Sequence, residues 1–227
     1  MVRFRWPPRI GAERESDMPG RVKGVLFADY VRMLRAHDGR AWRELLEPED
    51  LAFLDQTIDR DAWYAMESFE RLGIAIFKVI AEEDFGRVLD WGRASVAGVV
   101  GANEQVLAPG DPRESLMRLF VLRRSLFDFE ALSMLQLCDA SASIGVEYGM
   151  QPLAEQAAAV QTMGFFEGLI ALADGADVHG EFLETTWRGD RQTIIGLSWQ
   201  PSPAVQPAVR SRMQAGGNGV ILPSSEP

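Results

Sequence analysis

The sequence predicts an α+β fold in which a helical N-terminal half packs on a four-stranded, largely antiparallel sheet of β-β-α-β-β order. Three observations carry this reading. Apolar residues recur at helical spacing from Val25 to about Phe127. Near Ala131 the period drops to two and stays there on either side of a further helix. Each alternating stretch contains a turn signal, so each folds back as a hairpin and its strands run antiparallel.

The helical half divides at turn and cap signals. Leu26, Tyr30, Met33, Leu34 and His37 share one helical face, which predicts a helix over Val25 to His37. Gly39 can take the left-handed conformation that ends it. A short helix follows over Ala41 to Leu46, and Pro48 suits the first turn of another carrying Leu51, Phe53, Leu54 and Ile58. Trp63 to Ala81 reads as one long helix, and Asp84 to Val100 as the next. After a loop over residues 101–110, Asp111-Pro112-Arg113-Glu114 restarts a helix, with Asp111 as cap and Pro112 at the first position.

In the C-terminal third, Leu135 and Leu137 flank Gln136, and Ile144, Val146 and Tyr148 alternate with small or polar residues across an Asp139-Ala140-Ser141 turn. Pro152 opens a long helix to about Ala173. Phe182, Thr193, Ile195, Leu197 and Trp199 alternate again around Arg188-Gly189-Asp190. Gly164 and Gly168 lie one turn apart in the helix, each costing about 1 kcal/mol relative to alanine. They predict a smooth strip resting closely on the sheet.

Residues 1–20 and 201–227 are rich in Pro and Gly without an apolar period, and read as a disordered arm and tail around a single domain over 21–200. Val220-Ile221-Leu222 is an apolar island in the tail. Net charge is −10, and the span 21–200 alone carries 17 basic and 29 acidic side chains. Such a surface repels phosphate backbones and anionic headgroups, so neither nucleic acid nor membrane is an expected partner. The single cysteine, Cys138, excludes an internal disulfide and reads as a small buried residue. Neither a secretory signal nor a membrane-length apolar run is legible, and the expected location is cytoplasmic.

Several segments resemble a known family. Val22-Lys23-Gly24-Val25-Leu26-Phe27-Ala28-Asp29-Tyr30, the Ala41-Trp42 pair and the β-β-α-β-β order through Trp199 are similar to heme-nitric-oxide-binding (H-NOX) domains. Vinyl-reductase-type ligand-binding domains and vesicle-tethering subunits share that order. Val22–Tyr30, Leu122-Arg123-Arg124-Ser125-Leu126-Phe127 and Gly164-Phe165-Phe166-Glu167-Gly168 also resemble a paralogous family of myxobacterial proteins. The resemblance implies a fold over roughly residues 22–200. Its heme chemistry does not carry over. The family's Tyr-x-Ser-x-Arg would fall on Tyr148, Met150 and Pro152, and no histidine lies between His37 and His179. Heme is therefore not expected, and no other cofactor is indicated.

The residues offer few chemical constellations. The sequence holds no Gly-x-Ser-x-Gly, phosphate-binding loop or dinucleotide fingerprint. His37 fits the C-terminus of a helix, where a cation is favoured, better than a catalytic role. His179 beside Asp177, and the Glu82-Glu83-Asp84 run, lack the further ligands a metal needs. No catalytic or metal-binding residue is assigned. Phe120, Phe127, Phe129, Phe165 and Phe166, with Tyr148, are the candidate lining of a ligand pocket; a filled core is the alternative. Arg123 and Arg124 are candidates for contact with an anion or a partner, against internal pairing with Asp128 or Glu130.

These features point to a non-enzymatic sensory or regulatory domain that binds a small apolar ligand or a protein partner. The alternative is an interaction scaffold or dimerisation module without ligand, with a homodimer as one form; an enzyme is the third reading, disfavoured by the absence of a catalytic constellation. A cavity of about 300 Å³ or more, lined by these phenylalanines, would separate the first two readings.

Overall fold

A computed structural model describes residues 20–37, 39 and 41–200. The expected arm, save Gly20, and the expected tail with its apolar island lie outside the described residues. The described elements are β1 (Arg21–Lys23), α1 (Gly24–Ala36), α2 (Pro48–Asp55), β2 (Trp63–Ala65), α3 (Met66–Ala75), α4 (Phe85–Ala102), α5 (Pro112–Leu122), β3 (Leu132–Leu137), β4 (Ser141–Val146), α6 (Pro152–Leu172), β5 (Ala176–Glu184) and β6 (Thr193–Gln200). The larger sheet runs β3-β4-β6-β5, and every neighbouring pair in it is antiparallel.

Alternation decides which sheet face is covered. On β6, Thr193, Ile195, Leu197 and Trp199 are buried. On β4, Ala142, Ile144 and Val146 point the same way. Helix α6 runs against this apolar face, with Phe166, Leu169 and Ile170 fully buried. Its other side carries α4, so α6 is apolar nearly all round, as expected of a helix with neighbours on both flanks. Glu167 is a charged residue in this layer, only 6% exposed. It accepts from Arg93 of α4 at 2.8 Å and from Gly180 N of β5 at 2.8 Å, tying helix, helix and sheet together.

Three features depart from the sequence reading. The glycine strip on α6 faces α4 instead of the sheet. A Cβ on Gly164 would stand 2.1 Å from Leu89 O, and one on Gly92 of α4 would stand 2.1 Å from Gln161 O. The missing signal was Gly92, whose notch completes the fit. Next, the expected helix from Trp63 to Ala81 is divided. Trp63–Ala65 pairs with Arg21–Lys23, with Lys23 Nζ 4.8 Å from the Trp63 ring and Tyr64 stacked on Phe27 at 4.4 Å. At the far end, Ile76–Ile80 is wound as a π-helix, with Ala81 N donating to Ile76 O at 2.9 Å. That widening turns Phe77 toward α4, against Phe85 at 4.6 Å. Finally, Cys138 is exposed instead of buried, because it lies past the end of β3 in the hairpin turn.

Cap chemistry follows expectation where its residues were legible. Asp111 Oδ1 accepts from Glu114 N at 2.9 Å, and Asp84 Oδ1 from Gly86 N at 2.7 Å. Glu114 pairs forward with Arg118 at 2.9 Å. The Glu82-Glu83-Asp84 run is a turn with Glu82 and Glu83 at φ 55° and 60°. Arg87 lies 3.0 Å from Glu82.

Candidate ligand cavity

A cavity of about 130 Å³ opens where α1, α4, α5 and α6 meet the start of β3. Phe127, Phe165 and Phe166 form aromatic walls, and Leu26, Leu119 and Leu132 close much of the rest. The volume falls short of the roughly 300 Å³ expected of a ligand pocket from the sequence, so any guest is limited to a single small ring. It is close to the ~150 Å³ engineered cavity that admits benzene or xenon.

The polar part of the wall comes from α1, α6 and the segment after β4. Tyr30 donates its hydroxyl to Gln161 Oε1 at 2.6 Å. Tyr148 Oη and Thr162 Oγ1 share a hydrogen bond of 2.6 Å. Burial pushes both phenols well above their ordinary titration range; for Tyr148 the hydrogen bond to Thr162 opposes the shift and the Glu155 charge adds to it. Both phenols therefore remain protonated and uncharged. The charged residues that reach the cavity are engaged elsewhere. Arg123 donates Nε to Leu132 O at 2.9 Å, also bonds Phe120 O, and its guanidinium lies 5.1 Å from the Phe120 ring. Asp29 pairs with Arg32 at 3.2 Å.

Glu155 fixes the position of Tyr148. Its carboxylate accepts from Tyr148 N at 2.8 Å and Met150 N at 2.9 Å. Burial raises its titration above the ordinary 4.5, opposed by those N–H donors. A carboxyl raised in the folded state holds its proton more tightly there than in the unfolded chain. Its stabilising contribution is complete below pH 4.5 and is lost as pH rises through the folded midpoint. Glu155→Gln is neutral at every pH, so its stability relative to the parent protein is expected to rise as pH climbs through the folded midpoint, which denaturant titration at several pH values measures. Carbon NMR of the Glu155 carboxyl is expected to give a midpoint above 4.5.

The sequence-predicted lining residues divide. Phe127, Tyr148, Phe165, Phe166 and Arg123 border the cavity. Phe120, Phe129 and Arg124 do not. Phe120 lies behind Phe166, its ring centroid 6.2 Å away, and is core. Phe129 sits on the far side of Phe127 at 5.7 Å, packed toward Gly20. Arg124 follows Arg123 in a tight 3-10 turn that sends it to the surface. Arg123 itself donates mainly to carbonyls, with Glu130 at 3.9 Å, while Arg124 is exposed. Sequence reasoning missed Tyr30, Gln161 and Thr162. A signal for the last two existed: Gln161-Thr162 interrupts the otherwise apolar run from Ala157 to Phe166 of α6.

The cavity lacks the groups of an H-NOX heme site. Its lining contains no histidine. Met150 and Pro152 occupy the positions that the resemblance would give to the anion-pairing side chains, with Pro152 opening α6. A porphyrin is far larger than a benzene-sized space. The residues present do not fit heme. Among the described residues, no group of three His, Cys, Asp or Glu side chains is placed to hold a metal ion. His37 and His179 stand outside the cavity. No described helix is long and apolar enough to cross a membrane.

No protein-family profile matches the chain, and no curated protein does. Solved structures do. The H-NOX protein from S. oneidensis in the Fe(II)NO ligation state is 15% identical with a TM-score of 0.55, covering 78% of this chain and 99% of that one. The unliganded Fe(II) H-NOX protein from K. algicida is 12% identical with a TM-score of 0.55, over 81% of this chain and 100% of that one. A structure probing heme distortion in the H-NOX family is 12% identical with a TM-score of 0.54, over 79% and 96%. At such identities the likeness concerns architecture: this chain has an H-NOX-like fold.

Proposed function

We propose that the chain is a non-enzymatic, heme-free sensory domain that takes a small, largely apolar molecule into the cavity between its helices and sheet. The observation that carries this reading is the 130 Å³ space walled by Phe127, Phe165 and Phe166 where the helices meet the sheet. The neighbours of this fold include Fe(II) H-NOX proteins, which support a ligand-sensing use of the architecture. The donor set here favours a different guest. Two neutral phenols, an amide and a hydroxyl recognise; they do not supply a nucleophile with its base. Occupancy would be felt by α1 and α6 at once, because Tyr30 and Gln161 join them across the wall.

Benzene is a sufficient probe. At about a hundred times its Kd, a ligand that binds only the folded state adds about 2.7 kcal/mol, or roughly 5–10 °C in Tm for a chain of this size. Ala158→Leu projects a side chain into the cavity and is expected to abolish that shift. A protein whose Tm does not respond to benzene, or whose response survives Ala158→Leu, contradicts the proposal. A Soret band in the purified protein contradicts its heme-free part.

A further inference from the structure

A second, smaller void of about 30 Å³ lies beside the cavity. Four residues line both spaces: Tyr30, Phe69, Ala158 and Gln161. The Tyr30–Gln161 hydrogen bond is therefore part of the partition between them. Beyond it the small void is bounded by Met33, Met150, Ile76 and Phe77, and by Glu70, whose carboxylate accepts from Gln151 N at 3.0 Å. Methionines adapt to irregular guests more readily than branched or aromatic side chains do. Ile76 and Phe77 belong to the π-helical turn.

The two halves of the partition differ in freedom. Tyr30 is stacked on Phe69 with centroids 4.2 Å apart and planes 15° from parallel. Gly73 lies directly beneath its ring, where a Cβ would approach Tyr30 Cε2 to 3.2 Å. Tyr30 is thus a fixed post. Gln161 is a flexible side chain on α6, held at its far end by the Tyr30 hydroxyl. It is the one member of the partition that can swing aside without moving a ring or a backbone.

We propose that Gln161 is the specificity-determining residue of the cavity, a latch that limits the guest to one ring while closed on Tyr30. Removing the latch joins the two voids, and the site then prefers a guest with a short linear apolar extension. This rests on the cavity being a ligand site, and the test separates the two ideas. Benzene and n-butylbenzene are titrated calorimetrically into the full chain and into Gln161→Ala and Tyr30→Phe.

In the native chain benzene is expected to bind, and n-butylbenzene to bind no better, because its tail has no room. In Gln161→Ala, the n-butylbenzene to benzene affinity ratio rises at least about tenfold, roughly what two newly buried methylene groups give. Tyr30→Phe keeps the post but releases the latch, so the ratio rises there by a smaller factor. Native n-butylbenzene binding tighter than benzene overturns the latch, as does a ratio unchanged in Gln161→Ala. Either result leaves the ligand site standing. Failure of both probes to bind the native chain removes the site and the latch together. A melting curve of each variant, taken without ligand, separates a changed preference from a failure to fold.

Discussion

Replacing Arg71 by methionine is expected to lower the stability of the protein by about 3–5 kcal/mol, the cost of leaving a buried charge without its partner. The charge is Asp50, whose side chain is 0% exposed. Arg71 meets both of its oxygens, with Nε donating to Oδ2 at 2.6 Å and a terminal nitrogen to Oδ1 at 2.9 Å. Such a bidentate pair is stronger and more directional than a single contact. Asp50 also accepts from Glu47 N at 3.0 Å, closing the first turn of α2. Methionine keeps the bulk of the stem and removes the guanidinium, leaving a carboxylate with one backbone donor. At roughly 2–4 °C per kcal/mol, Tm falls by about 6–20 °C. Asp50→Asn in the Arg71→Met background should recover a large part of the loss, since the buried charge is then gone. A loss no larger than the ~1 kcal/mol of an exposed ion pair contradicts this account.

Neither partner of that pair stood out in the sequence. Asp50 lies among Glu49 and Glu47, and nothing local separates a buried carboxylate from a solvated one. Arg71 sits 21 residues away on another helix. The parts of the fold that could be read were those written in local periodicity. The apolar face of α1, the Asp111-Pro112 start of α5 and the alternation from Thr193 to Trp199 each depend on neighbours within two turns. The parts that could not be read depend on distant partners. Trp63–Ala65 is too short for alternation to show, and becomes a strand because Arg21–Lys23 reaches it. The π-helical turn at Ile76–Ile80 has no composition that marks it.

The cavity follows the same division. Aromatic residues clustered on the helices announced a large apolar interior, and Phe127, Phe165 and Phe166 do border the space. Whether such an interior is solid or hollow depends on the separation of the helices, which no periodicity records. Phe120 and Phe129 are as apolar as the wall residues and differ from them only by standing one layer further back. Tyr30 was legible as a member of an apolar helical face, but its hydroxyl acquires a role only because Gln161 arrives from a helix 131 positions along the chain.

The separation of α4 and α6 is set by glycine, and substitutions there should act on stability and cavity together. Gly92→Ala places its Cβ 2.1 Å from Gln161 O and 2.9 Å from Phe165 N. Both atoms are backbone, so no side chain can turn aside and the helices must move apart. Overpacking costs about 1–3 kcal/mol and sometimes more, and a backbone obstacle puts this case at about 3 kcal/mol. Gly164→Ala meets Leu89 O at 2.1 Å from the opposite side and is expected to cost as much. At Gly98, further along α4, an added methyl would find no atom within 4 Å. Gly98→Ala should therefore gain up to about 1 kcal/mol from helix propensity alone. Urea midpoints of the three variants test this difference in sign. Because Gln161 and Phe165 line the cavity, displacement of α6 by Gly92→Ala should also weaken benzene binding, while Gly98→Ala leaves it unchanged. If Gly92→Ala and Gly98→Ala shift stability in the same direction, close backbone contact is not what holds the two helices, and the shape of the cavity has another origin.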